Sequence, residues 1–242
     1  MGAGAILVAG MADTPEENSR YANDLVLWRE LVTSRFGASH ADVQILYLDG
    51  GSSLGEAATL DNLAAAFARS SDTIEENDPF FLVVTNHGYP VDADPARCKS
   101  TIAPPGRFFA WPETSVFPED ISEMAADLKS RRQAFVFGQC GAGAFSELAS
   151  EHRAVLCACL AHQASSALPS LPWDEFLYNV ADALGARSSG KPPSGNLRDA
   201  FHRAKAQSSA DHEGCDGESP LLCDPGDVAS RIVVRAYFGQ YP

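Results

Sequence analysis

Basic side chains are scarce in this sequence: 18 Lys and Arg stand against 32 Asp and Glu, a formal charge of −14 over 242 residues. That balance argues against nucleic acid and anionic membranes as partners, because the average surface repels both. Long hydrophobic runs are also missing. The longest, such as AILVAGMA and FFLVV, fall far short of the about 18–20 residues that a bilayer requires. The short apolar run at the start has no basic segment before it, and Ile6 stands where a myristoylation signal needs Ser or Thr. Neither a signal peptide nor lipidation is therefore expected, and a soluble cytoplasmic protein is the expectation. The sequence contains no G-x-G-x-x-G and no Walker A pattern, which leaves nucleotide loops unsupported.

What is present is an ordinary globular composition, 45% hydrophobic and 21% charged, with enough apolar residues for a core of its own. Six cysteines, at 98, 140, 157, 159, 215 and 223, are read mostly as reduced thiols in a chain too long to need staples. Cys157 and Cys159 lie two apart on an apparent strand and so share one face as small core residues. With His162 they lack a fourth ligand at finger-like spacing, so zinc is not expected. Whether Cys215 and Cys223 pair stays open.

Apolar periodicity and turn signals give an alternation of strands and helices. GAILVAGM (4–11) is a buried strand, followed by a helix ending at Gly37. DVQILYLDGG (42–51) is a second strand, TLDNLAAAFARSSDTI a helix capped by Thr59 or Asp61, and PFFLVVTNHG a third strand. After a proline-rich stretch (90–118) containing a short FFAWP strand come a helix over about Glu119–Ser130, the strand QAFVFGQC, the strand AVLCACLA, two helices and a closing strand RIVVRAYFG. A mostly parallel sheet of about six strands with helices on both faces is the predicted fold, a three-layer α/β sandwich. It is read as a single domain over 1–242 whose part from about 186 is loop-rich. The acidic loop 211–227 lacks an EF-hand spacing, so Ca²⁺ is not expected.

Two of the strand ends carry chemistry. In an open parallel sheet the reactive crevice lies beyond the carboxyl ends of the strands, where this chain places His87 in TNHG and Cys140 in FGQCGAG. A nucleophilic Cys needs a base, and a His from a neighbouring strand end is a usual provider. The order His then Cys, 53 residues apart, is close to the spacing of about 50 in caspases. Glycines at 88, 141 and 143 leave backbone N–H groups uncovered for an oxyanion, and a helix starting at FSELAS would lower the thiol pKa further.

Here the sequence resembles the cysteine peptidases of the legumain/caspase superfamily, most of all the legumain (asparaginyl endopeptidase) branch. The matching pieces are strand-NHG at 80–88, strand-QCGAG at 134–143, and the opening AILVAGMADTPEENSRYAND, of the type VAG…N-x-R-x-x-x-D, spread over roughly residues 4–185. The resemblance implies a caspase-like sandwich, a thiol peptidase without metal or cofactor, a protein or peptide substrate, and room for a regulatory protein partner. It places the catalytic Cys on Cys140, the His on His87 and an orienting Asn on Asn18, with the N–H groups of Gly88 and Cys140 as oxyanion hole. It places the primary specificity pocket on Arg20, Ser165 or Ser166, and Asp174, with Gln139 beside it. Gly138 stands where legumains carry Glu and caspases Gln, so Arg20 has one carboxylate fewer to neutralise it and could accept Asp as well as Asn as the residue before the scissile bond. Endopeptidase cleavage after Asp or Asn is the expected activity. The alternatives are a peptide ligase using the same site, a catalytically inactive interaction module, and a glycine-rich anion loop at QCGAGAF.

Overall fold

The computed structural model describes residues 2–91, 106–165, 168, 170–187, 192–208, 211–212, 215–216 and 219–235. Six strands form the central sheet: β1 (Gly4–Ala9), β2 (Val43–Tyr47), β3 (Pro79–Val84), β7 (Arg132–Phe137), β8 (Arg153–Cys157) and β11 (Leu221–Cys223). Their order is β11-β8-β7-β3-β1-β2, parallel throughout except for the antiparallel edge strand β11. β1, β3, β7 and β8 are buried almost end to end, as expected of strands covered on both faces. A smaller antiparallel sheet joins β4 (Gly88–Tyr89), β5 (Arg107–Ala110) and β6 (Thr114–Val116), and a hairpin pairs β9 (Asp211–His212) with β10 (Cys215–Asp216).

Helices cover both faces, so the molecule is the three-layer α/β sandwich that the alternation predicts. On one face α1 (Pro15–Leu31), α4 (Glu175–Ala183), α5 (Leu197–Gln207) and α6 (Val228–Arg231) bury Trp28, Leu31, Phe176, Leu184 and Phe201. On the other, α2 (Leu60–Thr73), α3 (Pro118–Met124), a 3₁₀ segment over Ala142–Leu148 and the small sheet bury Phe67, Phe108, Ile121 and Phe145. Each such side chain removed from water contributes about 1.5–3 kcal/mol, which is why the apolar pattern fixes the layering. Cys157 and Cys159 share the second of these cores.

α1 starts with a capping box. Glu17 N–H donates to Thr14 Oγ1 at 3.2 Å, Thr14 N–H donates back to Glu17 Oε2 at 3.0 Å, and Pro15 opens the first turn. It continues through a π turn (Val32–Phe36) and stops at Gly37, whose φ of 76° is left-handed. α2 is capped by Thr59 rather than Asp61, and α4 by Asp174, which accepts from Leu177 N–H at 2.8 Å.

Four sequence expectations need correction. α3 ends at Met124, well before Ser130. FSELAS is 3₁₀ rather than α-helical, so the segment after Cys140 brings little macrodipole. The sixth strand of the sheet is β11, from within the expected acidic loop, and not RIVVRAYFG. Of that closing segment, Arg231 ends α6, Val233 bridges to Asn196 and residues 236–239 lie outside the described residues. The part beyond 186 also contributes Leu197, Ala200, Phe201 and Ala204 to the main core, so it is less loop-like than its composition indicates. Among the described residues no helix is long and apolar enough to cross a membrane.

Candidate active site

β3 and β7 are sheet neighbours, paired from Pro79↔Arg132 to Val84↔Phe137. His87 and Cys140 each lie three residues past the last pair, so the register itself sets them side by side. The two line one cleft of about 560 Å³ together with Gly88. Their peptides touch: a β-carbon on Gly88 would come within 2.2 Å of the Cys140 carbonyl oxygen and 2.5 Å of Gln139 Cγ. Only glycine permits that approach. Gly141, directly after the thiol, takes a φ of 68°, which turns the chain into the 3₁₀ segment.

The sulfur has a backbone donor. Ser165 N–H donates to Cys140 Sγ at 3.3 Å, an arrangement that favours a thiolate. Ser165, expected in a specificity pocket, thus meets the Cys140 thiol through its backbone. Ser166 lies outside the described residues.

The imidazole faces acids. His87 Nε2 is 3.3 Å from Glu17 Oε2 and 3.7 Å from Asp13 Oδ2, close enough to pair electrostatically although not aligned for a hydrogen bond. Tyr21 meets the ring edge-on at 6.0 Å between centroids. Burial alone would raise the Glu17 pKa. The Asp13 and Thr14 N–H groups and the His87 imidazole overcome it and bring the carboxyl below its ordinary value. Asn18, expected to orient the histidine, does not reach it. Its carbonyl accepts from Tyr47 Oη at 3.0 Å, and its side chain makes no hydrogen bond to His87. One residue is about 100° around a helix, and the stripe of α1 that faces the strand ends is 17, 20, 21 and 24. Asp13, Glu17 and His87 also bring one ligand atom each within 4.8 Å of one another, so these are the residues that could hold a cation here.

Below the cleft lies a buried carboxylate, the Asp that ends the opening N-x-R-x-x-x-D pattern and to which the sequence reading gives no role. Asp24 is fully buried and accepts from Thr85 Oγ1 at 2.7 Å and from Asp174 N–H at 3.0 Å. It ties α1 to the end of β3, two residues before His87, and to the start of α4. Burial pushes its pKa up to about 7, against the lowering effect of Thr85, Asp174 and the Arg20 charge. Burial likewise pushes the Tyr21 hydroxyl far up, helped by the charges of Glu17, Asp174 and Cys140. Arg20 therefore stands beside Asp24 and Tyr21, and its Nε is buried with no hydrogen-bond partner among the described residues.

Asp174 is spent on capping α4 and is nearly buried. At Gly138 a β-carbon would meet Leu177 at 2.9 Å and Asp174 Oδ1 at 3.1 Å, so α4 occupies the space in which a longer side chain would sit. Gln139 is buried behind Gly88, and neither of its amide atoms has a partner among the described residues. Asn86 locks the turn before the imidazole: its Oδ1 accepts from Met11 N–H at 3.1 Å and His87 N–H at 2.8 Å, and its Nδ2 donates to the Phe109 carbonyl. Cys140, Cys157, Cys159 and Cys223 carry reduced thiols, and burial raises the pKa of Cys157 well above its ordinary value, as for an inert core thiol.

No protein-family model matches the sequence, and no curated protein sequence matches it. A solved structure similar to the chain is that of protein GSU0716 from Geobacter sulfurreducens, with a TM-score of 0.61 and 11% identity, covering 97% of this chain and 100% of that one. At that identity the likeness establishes the fold alone, and the chemistry rests on the site.

Proposed function

We propose that the chain is a cysteine endopeptidase of the legumain/caspase type, cleaving after Asp or Asn through His87 and Cys140. The observation that carries this reading is the pairing of β3 with β7, which sets the two residues at equivalent positions beyond adjacent strand ends and on one cleft.

The contacts support the following roles. With Nε2 turned to Glu17 and Asp13, Nδ1 is the nitrogen left for the thiol. His87 takes the Cys140 proton, the two carboxylates stabilise the imidazolium, and Ser165 N–H stabilises the sulfur anion. The thiolate attacks the peptide carbonyl, and the N–H groups of Gly88 and Cys140 receive the oxyanion. As the C–N bond breaks, the proton on His87 passes to the leaving amine. Water, deprotonated by the same ring, then releases the acyl group from Cys140.

We assign the selection of the substrate side chain to Arg20, whose Nε is a buried donor with no acceptor among the described residues. A peptidyl acyloxymethyl ketone ending in Asp or Asn should label Cys140 covalently, as mapped by mass spectrometry. Labelling should drop at least tenfold in His87→Ala, and Arg20→Ala should weaken it far more than it lowers Tm. Label on Cys223 in preference to Cys140, or equal labelling with His87 absent, refutes the dyad.

A further inference from the structure

Beside the dyad, Met11, Tyr89, Pro90 and Phe109 form an apolar wall of the cleft, with Asp13 and Glu113 also lining it. The wall is built rather than incidental. The small sheet packs through Phe108, Ala110 and Val116 into the core, which turns Phe109 the other way. The rings of Tyr89 and Phe109 meet edge to face at 5.4 Å, and the Arg107 guanidinium lies 5.1 and 5.4 Å from their centroids. Asn86, which fixes the His87 N–H, also donates to the Phe109 carbonyl, and Tyr89 is two residues from His87. The platform and the base therefore keep a constant relation.

We infer that this wall is a specificity subsite for the residue directly after the scissile bond, and that it takes a large apolar side chain such as Leu, Met or Phe. The inference rests on the peptidase reading above and adds the substrate's second determinant. Two arguments place that residue here. His87 must hand its proton to the leaving amine, so the departing part of the substrate lies along His87 and the adjoining Gly88–Tyr89–Pro90 segment. Successive side chains of an extended peptide also point in opposite directions. The residue before the bond turns toward Arg20 on the α1 and α4 face, and the next one turns toward the small sheet on the other. Asp13 and Glu113 make the same wall unfavourable to an acidic side chain.

The test is a set of quenched fluorescent peptides that share one sequence up to a cleavable Asp or Asn and differ only in the next residue: Leu, Phe, Ala, Lys or Asp. The expected kcat/KM is at least about tenfold higher for Leu and Phe than for Ala, and lowest for Asp. Tyr89→Ala and Phe109→Ala, each checked for an unchanged melting transition, should shrink the Leu-to-Ala ratio to about two- to threefold. A flat profile in the wild type, or one that neither variant alters, overturns the subsite while the cleavage itself upholds the dyad. No cleavage of any peptide, with Cys140 also unreactive to a ketone probe, overturns both.

Discussion

Glu17 is the residue on which this site departs most from what its motif implies. The resemblance assigns the support of His87 to Asn18, yet the helical register turns Glu17 toward the ring and Asn18 away. Glu17→Gln should lower kcat/KM about two- to tenfold, the scale of a partly exposed ion pair to an imidazolium, while Asn18→Ala changes it less than about twofold. The reverse order, in steady-state kinetics on one substrate, would return the role to Asn18. Gln139 makes a sharper case: its two amide atoms are buried without partners, at a cost of about 1–3 kcal/mol. Gln139→Met should raise stability in urea titrations, and a loss would show that the amide is satisfied by something beyond its described neighbours. Asp24 yields a pH signature. Its folded pKa, about 7, lies above its ordinary 3.8, so its protonated form is favoured by folding. That contribution is present in full below about pH 4 and is lost as the pH rises toward 7, on the order of 4 kcal/mol in all. Asp24→Asn keeps one acceptor for Asp174 N–H and presents an amide to the Thr85 hydroxyl, so it should gain stability relative to wild type between pH 4 and 7. A constant difference across that range would contradict the raised pKa.

At the scale of elements, the first turn of α1 couples folding to chemistry. Thr14 caps the helix, and the Glu17 carboxylate that completes the box also stands against His87. Thr14→Ala should cost about 0.5–2 kcal/mol of stability and lower kcat as well, since Glu17 loses part of its anchor. Unchanged kcat with reduced Tm would separate the two roles. The same turn shows what is legible in the sequence. The strand runs AILVA, PFFLVV and AFVF and the Gly37 stop are local signals and read directly, and so is the position of His87 and Cys140 just past two strand ends, because the end of a buried run is a short-range pattern. Glu17, the role of Asp24 and the Tyr89–Phe109 wall are not legible, because their partners lie 61 to 150 residues away or across a sheet whose pairing no short motif encodes. β11 is hidden for a related reason: three residues in an acidic stretch become a strand only because β8 offers an edge. Helix geometry could have found Glu17 and Asp24, since 17, 21 and 24 fall on one stripe.

At the scale of the whole molecule, the sheet explains why the site lies where it does. Five parallel strands bring their carboxyl ends to one rim, β3 and β7 sit in the middle of the order, and His87 and Cys140 lie over that middle. The α1–α4 layer supplies the polar residues beneath, Arg20, Asp24 and Asp174, and the opposite layer supplies the aromatic wall. On the proposed reading, a peptide substrate crossing the rim would meet a charged side and an apolar side on either side of the bond to be cut. The central claim is tested most directly by a panel of fluorogenic peptides that differ in the residue before the cleaved bond, assayed with a thiol reductant on the protein and on Cys140→Ala. The account predicts cleavage after Asp or Asn that vanishes in the variant. Cleavage that persists without the Cys140 thiol, or a protein silent across the panel whose Cys140 also fails to react with a ketone probe, would contradict it.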